Sequence, residues 1–350
     1  MRQLDGIRAF AVIGVIFDHW SGALPRSLRK VSEALDLSRL GVECFFVLSG
    51  FLITLILLQS KKANLPTGIA LGHFYVRRIL RIFPVYYVTL LVAFFFTNGI
   101  RETIAWHGLY LTNIYTSWYG KWPPAGGHFW SLAVEEQFYL LWPLMVLTLP
   151  LRTIRVVTIS LCLLAPSSRF IFFLFHADNH LLIYTSPIAA LDLLCFGGLL
   201  ACMEHEAVDF RAKKTNRLIN ICGLIALFSY SALFLYAHDS MPFIVFGRTL
   251  VAISFGAVIL SASRGLSGVP NWLLGNPVIV WVGTISYGLY IFHPFISQTY
   301  LSIGNIFGVD LRVIPSYIRI PIWSAMLLVI TAVSYYFFET PIRGLKRFYG

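Results

Sequence analysis

Of the chain's 350 residues, 57% are hydrophobic and only 12% are charged, with a mean hydropathy of +0.74. A soluble domain carries about 25% charged residues, so this composition excludes a water-soluble globule and indicates an all-α polytopic membrane protein. The net charge of +11 would point to nucleic acid in a soluble protein; here cytoplasmic loops and anionic lipid headgroups account for it, and no nucleic-acid motif accompanies it.

The first apolar run, 6–22, carries Arg8 near its start and His19 at its far end. Eleven residues at ~1.5 Å per residue separate them by roughly 16 Å, about half a bilayer core. Ionisable groups at such depth are costly and mark function by default. Ser21-Gly22-Ala23 has the look of a leader cleavage site, but Asp5 and the spans that follow favour a retained helix. Further apolar runs fall at 40–58, 82–98, 129–149, 154–176, 181–203, 218–237, 243–262, 277–302 and 321–340, which makes about ten helices. The segment 101–128, with Trp106, Trp118, Trp122 and Pro123-Pro124, is read as an interfacial loop. A single transmembrane domain over 1–350 is expected, with no appended soluble domain. Cys44, Cys162, Cys195, Cys202 and Cys222 show neither metal-ligand spacing nor a disulfide framework, so no metal is expected.

Loop Lys and Arg residues orient the bundle. Sixteen, including Arg2, Lys61, Lys62, Arg77, Arg78, Arg81, Arg211, Arg343, Lys346 and Arg347, fall on the side of the N-terminus, against eight opposite. The positive-inside rule then places both termini in the cytoplasm. In that orientation His19, Glu43, Glu135 (or Glu136) and His293 come from four helices toward the outer side. Arg8 lies toward the cytoplasmic mouth with Arg77 and Arg81, which share a helical face at i, i+4. Fixed guanidinium forks there suit phosphates.

Each group also has a plainer reading. Glu43 and Glu135 could pair with Arg39, Arg169 or Arg248 to hold helices together. The Arg77–Arg81 cluster could be a topology anchor, and Ser286 and His293 could be packing residues.

Six segments carry a resemblance: LDGIRAFAV at 4–12 with Arg8 and His19, GVECFFVLSGFLIT at 41–54, FYVRRILRIFPVYY at 74–87, WSLAVEEQFYLLWP at 130–143, SYGLYIFHP at 286–294 and FETPIR at 338–343. In this order they resemble acyltransferase family 3, the integral-membrane bacterial O-acyltransferases. The resemblance implies a ten-helix fold, acyl-CoA as donor, an essential Arg8–His19 pair and His19 as the catalytic histidine. This chain departs from it in Glu43, where Asp is frequent, and in Asp18 directly before the histidine.

The resulting expectation is transfer of an acetyl or other short acyl group from cytoplasmic acyl-CoA to a hydroxyl of a cell-surface glycan or glycolipid, lipopolysaccharide included. His19 serves as general base, with Glu43 or Glu135 fixing its tautomer, or as a transient acyl carrier. Arg8, Arg77, Arg78 and Arg81 hold the CoA phosphates; Trp130, Ser131, Ser286, Tyr287 and His293 are candidates for acceptor binding. No tightly bound cofactor is expected. The competing class is a proton-coupled transporter or a non-catalytic export partner using the same intramembrane His and Glu residues.

Overall fold

Inside hydrocarbon every backbone N–H and C=O must be satisfied within its own segment, which makes helices the solution for apolar runs of this length. A computed structural model describes residues 1–176, 178–206 and 213–345. Arg211, Lys346 and Arg347 of the orientation count lie outside the described residues.

Helix α1 spans Arg2–His19. Helix α2, Arg26–Leu35, follows Pro25, and the left-handed Asp36 (φ 45°) separates it from α3, Leu37–Lys62. Helix α4 runs over Thr67–Phe96, starting well before the apolar run expected at 82–98, and carries Arg77, Arg78 and Arg81 on the helix ahead of that run. The segment read as an interfacial loop folds into two short helices, α5 (Asn98–Gly108) and α6 (Thr112–Tyr119). Then come α7 (Phe129–Thr148), α8 (Leu151–Phe175), α9 (His180–Thr185), α10 (Leu191–Glu206), α11 (Lys213–Ala237) and α12 (Met241–Arg264). The C-terminal part holds α13 (Val269–Leu274), α14 (Pro277–Thr284), α15 (Ser286–Ile306), α16 (Ser316–Val333), a π-helical stretch at Ser334–Glu339 and α17 (Thr340–Gly344).

Among the described residues seven helical stretches are long and apolar enough to cross a membrane, and the α14–α15 pair, bent by 71°, makes eight. The runs expected at 6–22 and 129–149 are helical but fall outside this set. Arg2, Asp5, Arg8 and Asp18 dilute the apolar character of α1, and Glu135-Glu136-Gln137 that of α7.

The chain divides into two units. The first contains Met1–Val42, Val76–Val92 and Ser267–Gly350. In it α1 packs on α14 and α15, burying Leu4, Ile7, Val12 and Val15. Helix α1 approaches its neighbours so closely that a Cβ at Gly283 of α14 would overlap the Asp5 carbonyl, and one at Gly6 the carbonyl of Leu274 at the end of α13. Small residues at such crossings let backbones meet where lipid offers no hydrophobic drive.

The second unit contains Glu43–Tyr75 and Ala93–Leu266. Its α8, α10 and α12 pack together around a buried ion pair: Arg169 Nη2 lies 2.6 Å from Asp192 Oδ2, with Arg169 fully buried. Arg169 also donates to the Val245 and Ala189 carbonyls and to Thr249 Oγ1, and Thr249 donates to Asp192 at 2.6 Å. Every donor of that fork is thereby used across three helices.

The α5–α6 segment is fastened by a buried imidazole. His107 Nε2 lies 2.9 Å from Thr103 Oγ1 and Nδ1 2.8 Å from Thr112 Oγ1. Burial lowers the His107 pKa to about 4, against a smaller upward effect of a hydrogen bond with the Ala125 backbone. The folded value lies below the unfolded one, so the unfolded state takes up the proton first. This clamp therefore contributes its full stability above about pH 6.5 and loses it as pH falls toward 4. Thermal unfolding followed across that interval should show a decline that His107→Gln flattens; an equal decline in the variant would place the acid sensitivity elsewhere.

Candidate functional site

In the first unit, Arg8 and His19 stand on one face of α1. Eleven residues at 100° each make three turns plus about 20°, so the two side chains are almost aligned along the helix. His19 also follows Val15 at i+4 and Val12 at i+7, continuing the buried stripe. Its ring remains exposed, and its Nδ1 lies 2.7 Å from His293 Nε2 on α15. The ring centroids are 4.9 Å apart with planes 24° from parallel. That separation matches the N···N distance plus two ring radii, so the rings meet edge to edge in nearly one plane, the arrangement of an N–H···N hydrogen bond.

The surroundings hold this pair in place. His293 is fully buried, and its Nδ1 lies 2.7 Å from the Tyr290 carbonyl. Trp20 donates from Nε1 to the His293 carbonyl at 3.2 Å and packs edge-on against Trp323. Asp18 accepts a hydrogen bond from Ser32 of α2, which ties α2 to the end of α1 beside the histidine. Of the alternatives for His293, helix packing or a place in the site, the structure puts it against the catalytic candidate.

The cationic residues of this unit lie on α1 and α4. Arg8 pairs with Asp5 at 2.6 Å, one turn earlier on α1. On α4 Arg77 is exposed, while Arg78 and Arg81 are half-buried. Arg81 and Arg343 both act electrostatically on the buried Glu339, which accepts from Ser334 Oγ at 3.4 Å. Two segments distant in sequence, 74–87 and 338–343, thus meet in charge. Tyr287 donates to the Ile82 carbonyl at 2.8 Å, joining α15 to α4, and Ser286 is buried in the first turn of α15.

The expected outer-side acids belong to the second unit, where each has a partner of its own. Glu43 Oε1 lies 3.0 Å from Arg248 Nε, both essentially buried. Arg248 also donates from Nη1 to the Tyr184 carbonyl at 3.0 Å. Of the plainer pairings for Glu43, the one with Arg248 is observed. Glu135 accepts from Ser49 at 2.6 Å, linking α7 to α3, and Glu136 one position on is half-buried. Trp130 is buried against Phe46 and Tyr184, and Ser131 donates to the His128 carbonyl at 3.3 Å.

Two residues that sequence reading passed over do structural work in this unit. Asp192 neutralises Arg169, and a lone acid inside an apolar run was the signal for it. Gln137 exchanges amide hydrogen bonds with Asn113 and donates to the Tyr110 carbonyl, fastening α6 to α7. That role carried no sequence signal.

Comparison with known proteins places this arrangement. A family model described as an acyltransferase domain (Acyl_transf_3) matches residues 1–339. The chain is 28% identical to the peptidoglycan O-acetyltransferase OatA of Listeria monocytogenes over 97% of its own length and 55% of the relative's. It is 30% identical to a putative O-acetyltransferase of Staphylococcus aureus strain MSSA476, covering 99% of this chain and 58% of that protein. It is 28% identical to the putative peptidoglycan O-acetyltransferase YrhL of Bacillus subtilis, covering 99% and 55%. The chain therefore spans a little over half the length of the curated relatives it matches. No solved structure matches it. With the Arg8–His19 helix and four of the five further segments inside the matched range, and the fifth beginning at its end, the chain belongs to acyltransferase family 3.

Proposed function

We propose that this protein is a membrane O-acetyltransferase that takes an acetyl group from acetyl-CoA on the cytoplasmic side and delivers it to a hydroxyl of a peptidoglycan glycan on the outer side. The observation that carries the reading is the alignment of Arg8 and His19 on one face of α1, with His19 exposed and braced by His293. The names of the relatives favour acetyl over longer acyl groups and peptidoglycan over lipopolysaccharide or another glycolipid. Ten crossings with both termini in the cytoplasm fit the loop charges: the eight stretches above, together with α1 and α7, whose charged residues are those of the site segments.

In this mechanism the pantetheine arm runs along α1 from the arginines toward His19. The His19 ring takes the proton of the acceptor hydroxyl as its oxygen attacks the thioester carbonyl. The C–S bond breaks, and the CoA thiolate recovers the proton from the imidazolium. Arg8, Arg77, Arg78 and Arg81 supply the phosphate contacts.

Reconstituted protein should consume labelled acetyl-CoA, with label appearing on added glycan fragments. Consumption without labelled glycan would overturn the acceptor, and no consumption with any acceptor would overturn the activity. Arg77→Gln and Arg81→Gln should each raise the acetyl-CoA KM by about tenfold with little change in kcat, because they remove ground-state and transition-state binding equally. An unchanged KM would remove these residues from the donor site.

A further inference from the structure

Helix α15 carries a second ring on the face that holds His293. Tyr300 follows His293 by seven residues, two helical turns, which returns it to nearly the same face roughly 10 Å farther along. There it packs edge-on against Trp323 of α16, with ring centroids 5.9 Å apart. Trp20, the residue after His19, meets the same indole edge-on at 5.5 Å. Arg319, one turn before Trp323 on α16, lies with its guanidinium carbon 5.4 Å from the centroid of that ring. Trp20, Tyr300 and Trp323 are each only 6% exposed.

This cluster lacks acceptors. Tyr300 Oη, Trp323 Nε1 and Arg319 Nε are all buried, and none has a hydrogen-bond partner among the described residues. The two terminal nitrogens of Arg319 donate to backbone carbonyls, those of Arg312 at 3.2 Å and Ala23 at 3.5 Å. No carboxylate pairs with Arg319 among the described residues, whereas Arg312 is paired with Asp310 at 2.9 Å. Burying a donor without a partner is costly, and holding a cation there without a counter-charge is more so. Three donors and one positive charge with no acceptor among them are complementary to an oxyanion. A carboxylate, with about four lone-pair sites, has enough for all three.

We propose that Trp20, Tyr300, Arg319 and Trp323 form a subsite that receives a carboxylate-bearing sugar of the acceptor glycan and so holds its hydroxyl at His19. The subsite deepens, and rests on, the reading of acetyl transfer to a glycan at that histidine. An anionic lipid headgroup has similar chemistry, but position favours the glycan. Trp20 adjoins His19 in the chain and donates to the His293 carbonyl, so the cluster is built onto the histidine pair.

Binding separates this subsite from catalysis. Peptide-free peptidoglycan fragments, intact or with their sugar carboxylates converted to methyl amides, are titrated by calorimetry into the protein in phosphatidylcholine nanodiscs. Intact fragments should bind about tenfold more tightly than amidated ones, the scale of one charge-assisted hydrogen bond, and Arg319→Gln should erase that ratio. Tyr300→Phe and Trp323→Phe each remove one donor and keep a ring, and should weaken intact fragments about fivefold. Equal binding of intact and amidated fragments, or an unaltered ratio in Arg319→Gln, would overturn the proposal. So would the same Arg319 dependence for phosphatidylglycerol in the nanodisc instead of for the fragments, which would assign the cluster to a lipid headgroup.

Tyr300→Phe also has an informative sign without ligand. It deletes a buried hydroxyl that lacks a partner, so the ligand-free protein should unfold at the same or a higher temperature while acceptor binding weakens. A lower unfolding temperature with unchanged binding would make the hydroxyl a structural group and overturn the proposal. In turnover, Arg319→Gln should raise the KM for the glycan about tenfold and leave that for acetyl-CoA unchanged. The reverse pattern would place the cluster at the donor and overturn it. If intact and amidated fragments bind alike and are acetylated, the subsite fails and the acetyltransferase reading stands. If intact fragments bind through Arg319 and none is acetylated, the subsite stands and that reading fails.

Discussion

Replacing His19 by alanine is expected to reduce acetyl transfer by a factor of about 10²–10⁴ while leaving the protein inserted in the membrane, because a positioned general base contributes that much to a proton transfer. The ring is exposed at the end of α1, and the bond that holds it is the one to His293. Its removal therefore opens no core cavity, and the buried stripe from Leu4 to Val15 is untouched. Membrane yield and thermal stability measured beside transfer separate the two effects. Full activity in His19→Ala would sink the mechanism, and collapse of yield would assign the ring to folding. A residual rate is expected, since bound donor and acceptor remain in proximity.

Glu43→Gln is expected to act differently, through stability. Glu43 Oε1 and Arg248 Nε form a 3.0 Å ion pair with both side chains at most 2% exposed. Neutralising the acid leaves a guanidinium buried without its counter-charge, at a cost of about 3–5 kcal/mol. Arg248 keeps its bond to the Tyr184 carbonyl, but a carbonyl dipole does not replace a carboxylate. The double variant Glu43→Gln/Arg248→Met should recover most of the loss, because it removes the stranded charge together with its partner. Thermal unfolding of the single and double variants in the same detergent measures this directly. If Glu43→Gln were as stable as wild type yet inactive, Glu43 would belong to the chemistry.

The two experiments divide the charged residues of the spans by role. In unit one the ionisable side chains near His19 are linked by directional hydrogen bonds to a carbonyl and a second imidazole. In unit two the arginines at 169 and 248 each face a carboxylate, and further donors of both are taken up by backbone carbonyls. Paired charges of this kind orient helices. A single exposed imidazole with one nitrogen tied is suited to move a proton.

The sequence by itself determined the class of this protein, its helical content and the residue types of the site. Those follow from composition, run length and spacing, which are local quantities. The Arg8–His19 spacing alone sets both their separation along α1 and their common face, since helical rise and twist are constants. Boundaries were less legible. Helix α4 begins fifteen residues before the expected start because His73, Arg77, Arg78 and Arg81 interrupt the apolar run without interrupting the helix. For the same reason the Trp-rich segment at 101–128 holds helices α5 and α6, whose apolar content is too low to read as a span.

Partnership was decided only by the tertiary structure. Nothing local distinguishes a glutamate that faces Arg248 from one that faces a histidine, and nothing local brings residue 293 to residue 19, 274 positions away. The histidine–proline step at 293–294 was visible in the sequence, but which ring lay within reach of His293 was not. That is settled by the packing of α1 on α15, while glycines where α1 meets α13 and α14 let those backbones approach closely. In a bilayer, where lipid contacts reward apolar surface everywhere alike, such close fits and hydrogen bonds select one pairing of helices over another.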